Sequence, residues 1–162
     1  MKNTTMWKRI LTLSIIALLT TWTTMIVWLI QFEQGCSGRL KRAADANTIG
    51  IAKVELYDAV EYLERNNMTE GYTSIIYKTP NEDVGFFYKN LKESYNELCK
   101  INEDSATQLE KTNVLMKLRE TIMDGDSITY PWGISRFPYN KFLFFFQIFL
   151  VFSIIISFLK SL

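Results

Sequence analysis

The sequence predicts an all-α membrane protein: two transmembrane helices flanking an extramembrane bundle of about three helices plus an extended return segment. Three observations carry that expectation. Residues 10–32 and 142–159 contain no charged side chain, and each run is long enough to cross a hydrocarbon core about 30 Å thick. All 17 acidic residues fall between these runs, from Glu33 to Asp126. Within that polar middle, apolar residues recur at three- and four-residue steps, the spacing of a helix face.

Whole-chain composition hides this organisation, since a net charge of +1 and 48% hydrophobic residues also describe soluble domains. The segments differ sharply. Lys2, Lys8, Arg9 and Lys160 lie outside the middle with no acidic neighbour. Basic residues beside short termini set orientation, so residues 1–9 and 160–162 are expected in the cytoplasm and residues 33–141 outside it. The compartment expected is a bacterial inner membrane. The first run is too long for a cleavable signal segment and reads as an uncleaved anchor. Trp7, Trp28, Trp132 and Tyr139 fall near the expected interfaces, where amphipathic rings are favoured.

Three helices are predicted in the middle, over about 39–66, 80–102 and 106–124. Leu40, Ala44, Thr48, Ala52, Leu56, Ala59 and Leu63 form one stripe along the first, which stops at Asn66, Asn67 and Gly71. Thr79, Pro80, Asn81 and Glu82 spell a capping box with proline at the first helical position, so the second helix is expected to start at Pro80. Its stripe is Val84, Phe87, Leu91, Tyr95, Leu98 and Ile101. Ser105 and Gln108 form a weaker box before Leu109, Leu115, Leu118 and Ile122 of the third helix. Pro131, Gly133 and Pro138 then exclude a continuous helix. At 1.5 Å per residue an unbroken first helix rises about 40 Å, the second descends about 30 Å, and the third climbs again. Residues 125–140 are therefore expected as an extended arm leading back to the second anchor.

That layout brings Cys36 towards Cys99 at the foot of the bundle. Either they pair, closing a loop that stabilises by roughly 4 kcal/mol in an oxidising compartment, or they are two unpaired thiols. Catalysis is not expected, because the chain contains no histidine, the commonest general base. No metal or cofactor is expected, and Asp124, Gly125, Asp126 and Ser127 read as a helix C-terminal turn rather than a calcium loop. Glu55, Asp58, Glu61 and Glu64 have the three-residue spacing of a solvated helix face. The dispersed basic residues exclude a nucleic-acid patch.

Interaction is the remaining class. Tyr72, Ile75, Ile76 and Tyr77 form an apolar cluster at the end far from the anchors, a candidate partner surface unless the arm around Tyr130 and Trp132 covers it. Ala46 and Gly50 permit close helix approach. Thr23, Thr24 and Gln147 lie at similar depth in the two apolar runs and either share a hydrogen bond or, for the threonines, bond their own helix. Ser153 or Ser157 is expected to face Thr12 or Ser14, and the phenylalanines of the second run to face lipid. The expected function is a membrane-anchored interaction or accessory protein presenting its bundle to another membrane or extracytoplasmic protein; the partners considered are the bilayer, such a protein and a second copy. The alternative is a sensor module, since the order of segments resembles the ligand-binding halves of bacterial chemoreceptors and sensor kinases. With three residues after the second run, it would signal laterally through a partner's helices.

Overall fold

A computed structural model describes residues 2–161 of the chain and shows it mostly helical. Helix α1 (Lys2–Phe32) occupies the first apolar run and continues through a π-helical turn (Glu33–Ser37) into α2 (Gly38–Ala44). Thr4–Ala44 is thus one rod of 41 residues. Its many β-branched threonines are tolerated because their hydroxyls have local acceptors: Thr12, Thr20 and Thr21 donate to the carbonyls of Lys8, Ile16 and Ala17. The C-terminal helix α6 (Asn140–Ser161) and the first rod are the two described helices long and apolar enough to cross a membrane.

Helices α1 and α6 pair antiparallel. Trp28 stacks on Tyr139 at 5.6 Å, the Gln147 side-chain amide donates to Met25 Sδ at 3.1 Å, and the Ser14 and Ser153 hydroxyls are 2.8 Å apart. On α1 the less exposed positions run Ser14, Leu18, Thr21, Met25, Trp28 and Phe32, while on α6 Leu143, Leu150 and Ser157 are buried at intervals of seven. Alternating steps of three and four are the seam of a left-handed helix pair.

Beyond this pair, the chain departs from the expected path at Asp45–Thr48. The single helix expected over 39–66 is two helices, α2 and α3 (Ile49–Arg65), because Thr48 is an N-cap rather than a member of the stripe. Its backbone is extended (φ −133°, ψ 150°) and its hydroxyl accepts from the Ile51 amide at 3.3 Å. Helix α3 folds back along α2, so Arg39 of α2 meets Glu55 and Asp58 while Gly35 lies against the Tyr62 ring. Leu40, Ala44, Ala52, Leu56, Ala59 and Leu63 all face the core. Two helices folded face to face show the same residue spacing as one long helix.

This reversal inverts every later direction. Helix α3 runs towards the end where α1 and α6 pair, called here the near end. Helix α4 (Val84–Lys100) runs away from it, and α5 (Gln108–Ile122) returns, with Lys117 on Glu97 at 2.7 Å. A bundle running up, down, up and down closes by itself. The extended arm expected over 125–140 is consequently not a rod spanning the bundle. Met123–Asp124 (β1) and Ser127–Ile128 (β2) form a tight hairpin around Gly125, whose φ is +60°. The helix C-terminal turn expected at Asp124–Ser127 is this hairpin instead. The chain then stays at the near end: Tyr130 packs on Phe32 with ring centroids 5.1 Å apart, and a 3₁₀ turn (Ile134–Arg136) buries Ile134. The Phe137–Pro138 peptide that follows is cis.

The ends of the remaining helices are capped, two residues or one turn away from where the spacing placed them. The box at the start of α5 is Thr107 with Glu110, not Ser105 with Gln108: Thr107 Oγ1 accepts from the Glu110 amide at 3.3 Å and Glu110 Oε2 accepts from the Thr107 amide at 2.7 Å. The Thr107 amide, and then its hydroxyl, which also donates to Glu110 Oε2 at 2.9 Å, hold the Glu110 carboxyl below the usual carboxylate range. Leu118 and Ile122 face the core, whereas Leu109 is 70% exposed.

Candidate functional site

The two cysteines are free thiols at different levels of the bundle. Cys36 sits in the π-helical turn, fully buried in the core near Tyr62. Burial, and then the neighbouring Glu33, pushes its thiol far above the ordinary range. Cys99 is exposed in the last turn of α4, beside Tyr95, which itself packs on Tyr57 at 5.8 Å. The pairing of Cys36 with Cys99 assumed that the second helix descends to the near end. Helix α4 instead carries Cys99 away from it, beyond the short reach of a disulfide.

The segment joining α3 to α4 also changes ends. Tyr72, Ile75, Ile76 and Tyr77 were expected far from the anchors, but α3 ends and α4 begins at the near end, where Gly71 faces the Phe137 ring and Asn66 to Met68 share a groove with Trp28 and Tyr139. Ile76 and Tyr77 are 74% and 79% exposed, and Trp132 is 71% exposed. Tyr72 is half-buried, bridged to Asp83 and lying 5.0 Å from the Lys78 ammonium. The arm therefore does not cover Ile76 and Tyr77.

The capping residues Thr79, Pro80 and Glu82 form a 3₁₀ turn in place of the first turn of α4. Thr79 donates its hydroxyl to Glu82 Oε2 at 2.6 Å, so the two side chains satisfy each other instead of the backbone. The working N-cap is Asp83, which accepts from the Phe86 amide at 2.9 Å and starts the helix at Val84. That amide holds the Asp83 carboxyl below its ordinary range.

In the apolar pair, Thr23 and Thr24 donate to the carbonyls of Leu19 and Thr20 at 2.6 and 2.9 Å and point outwards. Gln147 does not reach them; its partner is Met25. The cross-helix hydroxyl contact is Ser14 with Ser153, while Ser157 is buried without a partner among the described residues.

Charge in the bundle is organised by tertiary pairing. Glu55, expected on a solvated face, is 4% exposed and clamped between Arg39 at 2.9 Å and Arg42 at 2.5 Å. The hydrogen bond and charge of Glu55 hold the Arg39 guanidinium firmly protonated. A second cluster joins α3 to α4: Tyr88 donates to Glu64, and Lys92 donates to Glu64 at 2.9 Å and contacts Tyr88 at 2.6 Å. The Tyr88 hydroxyl, followed by Lys92, holds the Glu64 carboxyl low. Both clusters join neighbouring helices, and neither opens into a cleft with a nucleophile. Among the described residues no group of three His, Cys, Asp or Glu side chains is placed to hold a metal.

What spacing missed is an apolar stripe on the outer face of α3. Ile51, Val54 and Tyr57 are 51%, 59% and 47% exposed, although the opposite face of the same helix is fully buried. Tyr57 extends the stripe to Tyr95 and thus towards Cys99 on α4. Ile51, Val54 and Tyr57 were visible as apolar residues off the main stripe, the available signal of a helix apolar on two sides. In comparisons with known protein families, with characterised proteins and with solved structures, the chain matches none.

Proposed function

We propose that this chain is a membrane-anchored interaction protein whose helical bundle, held at the membrane by α1 and α6, docks another protein through the Ile51–Val54–Tyr57 face. The observation that carries this reading is the stripe itself: three large apolar side chains in succession stay open on a helix whose inner face is already satisfied. Exposed apolar area concentrated in one patch is the usual mark of a docking surface. The apolar pair supports the anchoring, and Lys8, Arg9 and Lys160 at its outer ends support both termini in the cytoplasm. The test is copurification from mild detergent. A stoichiometric partner is expected with the native chain and is lost with the double substitution Val54→Lys, Tyr57→Lys, while helicity and melting stay unchanged. A native chain that purifies alone, or a double variant that keeps its partner, overturns the reading.

A second reading, a sensor that passes its signal laterally, is favoured by the unbroken rod from Thr4 to Ala44. A tilt imposed on the bundle would enter the apolar pair through that same helix.

A further inference from the structure

A cleft of about 470 Å³ lies between α1 and the turn that leads to α6. One wall is Trp22, Met25, Ile26 and Leu29, all inside the first apolar run; across from them stand Trp132 and Arg136. Among the described residues Arg136 is the only charged side chain lining the cleft, and its guanidinium lies 5.0 Å from the Trp132 ring. No ion pair engages it among the described residues. It stands four residues before α6 begins, at the end of the apolar pair.

We propose that this cleft holds one anionic glycerophospholipid, with an acyl chain along Trp22, Ile26 and Leu29 and its phosphate on Arg136. The inference rests on α1 and α6 crossing a bilayer and goes beyond that reading by naming a ligand. Four arguments select this occupant. The apolar wall is continuous with the rest of α1, so a lipid enters sideways from the bilayer without crossing water. The cleft is lined almost wholly by apolar and aromatic groups, which favours an acyl chain over a free phosphate ion. A guanidinium presents a planar fork of donors matched to phosphate oxygens. Among the described residues no carboxylate lines the cleft to neutralise the ammonium of a zwitterionic headgroup, Glu33 being engaged by the Tyr130 hydroxyl, so net negative charge is selected.

The full chain, reconstituted in vesicles of equal phosphatidylglycerol and phosphatidylcholine, is floated on a density gradient, extracted gently and weighed by native mass spectrometry. One phosphatidylglycerol is expected to stay bound in preference to phosphatidylcholine. Arg136→Gln should reduce that preference about tenfold, the scale of one charge-assisted hydrogen bond. Leu29→Trp, which fills the apolar half without touching the guanidinium, should reduce retention of both lipids. A chain that floats with the vesicles yet holds the two lipids equally, or is indifferent to both substitutions, overturns the lipid site alone. A chain that does not float overturns the membrane reading and the site with it.

Discussion

Glu55 illustrates how a residue's role is decided by its neighbours. A carboxylate taken out of water loses several kcal/mol of hydration, which must be offset by charges and hydrogen bonds nearby. Arg39 and Arg42 of α2 supply both while keeping 37% and 67% of their own side-chain surface in water. Removing both arginines leaves a buried charge uncompensated, whereas Glu55→Gln removes the charge, releasing Arg42 to solvent and leaving Arg39 on Asp58. The double substitution Arg39→Ala, Arg42→Ala is expected to cost about 3 kcal/mol, and Glu55→Gln clearly less, in urea unfolding followed by circular dichroism in mild detergent. Equal costs would mean that the side chains matter for packing alone. Glu55, Asp58, Glu61 and Glu64 look alike in sequence because their three-residue spacing contains nothing about α2. The same holds for Thr79, whose box residues were legible, while the working cap is Asp83, a residue also bridged to Tyr72 from the preceding segment.

At the scale of elements, the decisive features are the two places where the first long helix deviates. At Glu33–Ser37 it widens into a π-helical turn, and Gly35 there lets α3 approach so closely that a Cβ would come within 2.2 Å of the Tyr62 ring. Gly35→Ala should therefore destabilise the bundle by about 1–3 kcal/mol through overpacking, and Tyr62→Leu in the same chain should return part of that loss. A double-mutant cycle of melting free energies checks this; strict additivity would rule out the contact as the cause. At Asp45–Thr48 the helix ends altogether. The signal was present, because Asn47 and Thr48 are residues that cap helices. The periodic stripe running through them outweighed it, since α2 and α3 both turn their apolar faces inward.

The whole molecule follows from that one reversal. With α3 running back towards the apolar pair, both the α3–α4 connection and the α5–α6 connection fall at the near end, and Cys99 is carried away from Cys36. The thiols should consequently count as two without reductant. A membrane-impermeant maleimide should label Cys99 on the native protein in intact cells and reach Cys36 only after unfolding, since the one is exposed and the other fully buried. Labelling of Cys99 only after lysis would overturn the proposed orientation. Labelling of native Cys36 would contradict the packing of the π-helical turn. The pairing of α1 with α6 was only partly readable. In helices that are apolar all round no contrast marks the buried seam, and a few polar residues such as Ser14, Ser153, Ser157 and Gln147 were its markers.

By itself the sequence determined that the chain is mostly helical, that two of its helices are long and apolar enough for a bilayer, and most of the residues of the middle that turn inward, Thr48 and Leu109 excepted. These are properties of composition and period, which local physics reads directly. Only the tertiary structure decided the direction of each helix, the burial of Glu55, the separation of the cysteines, the open face of Ile51, Val54 and Tyr57, and the cleft beside Arg136. Each depends on contacts between residues far apart in the chain. A four-residue turn reverses all of them while leaving the spacing of the apolar residues unchanged.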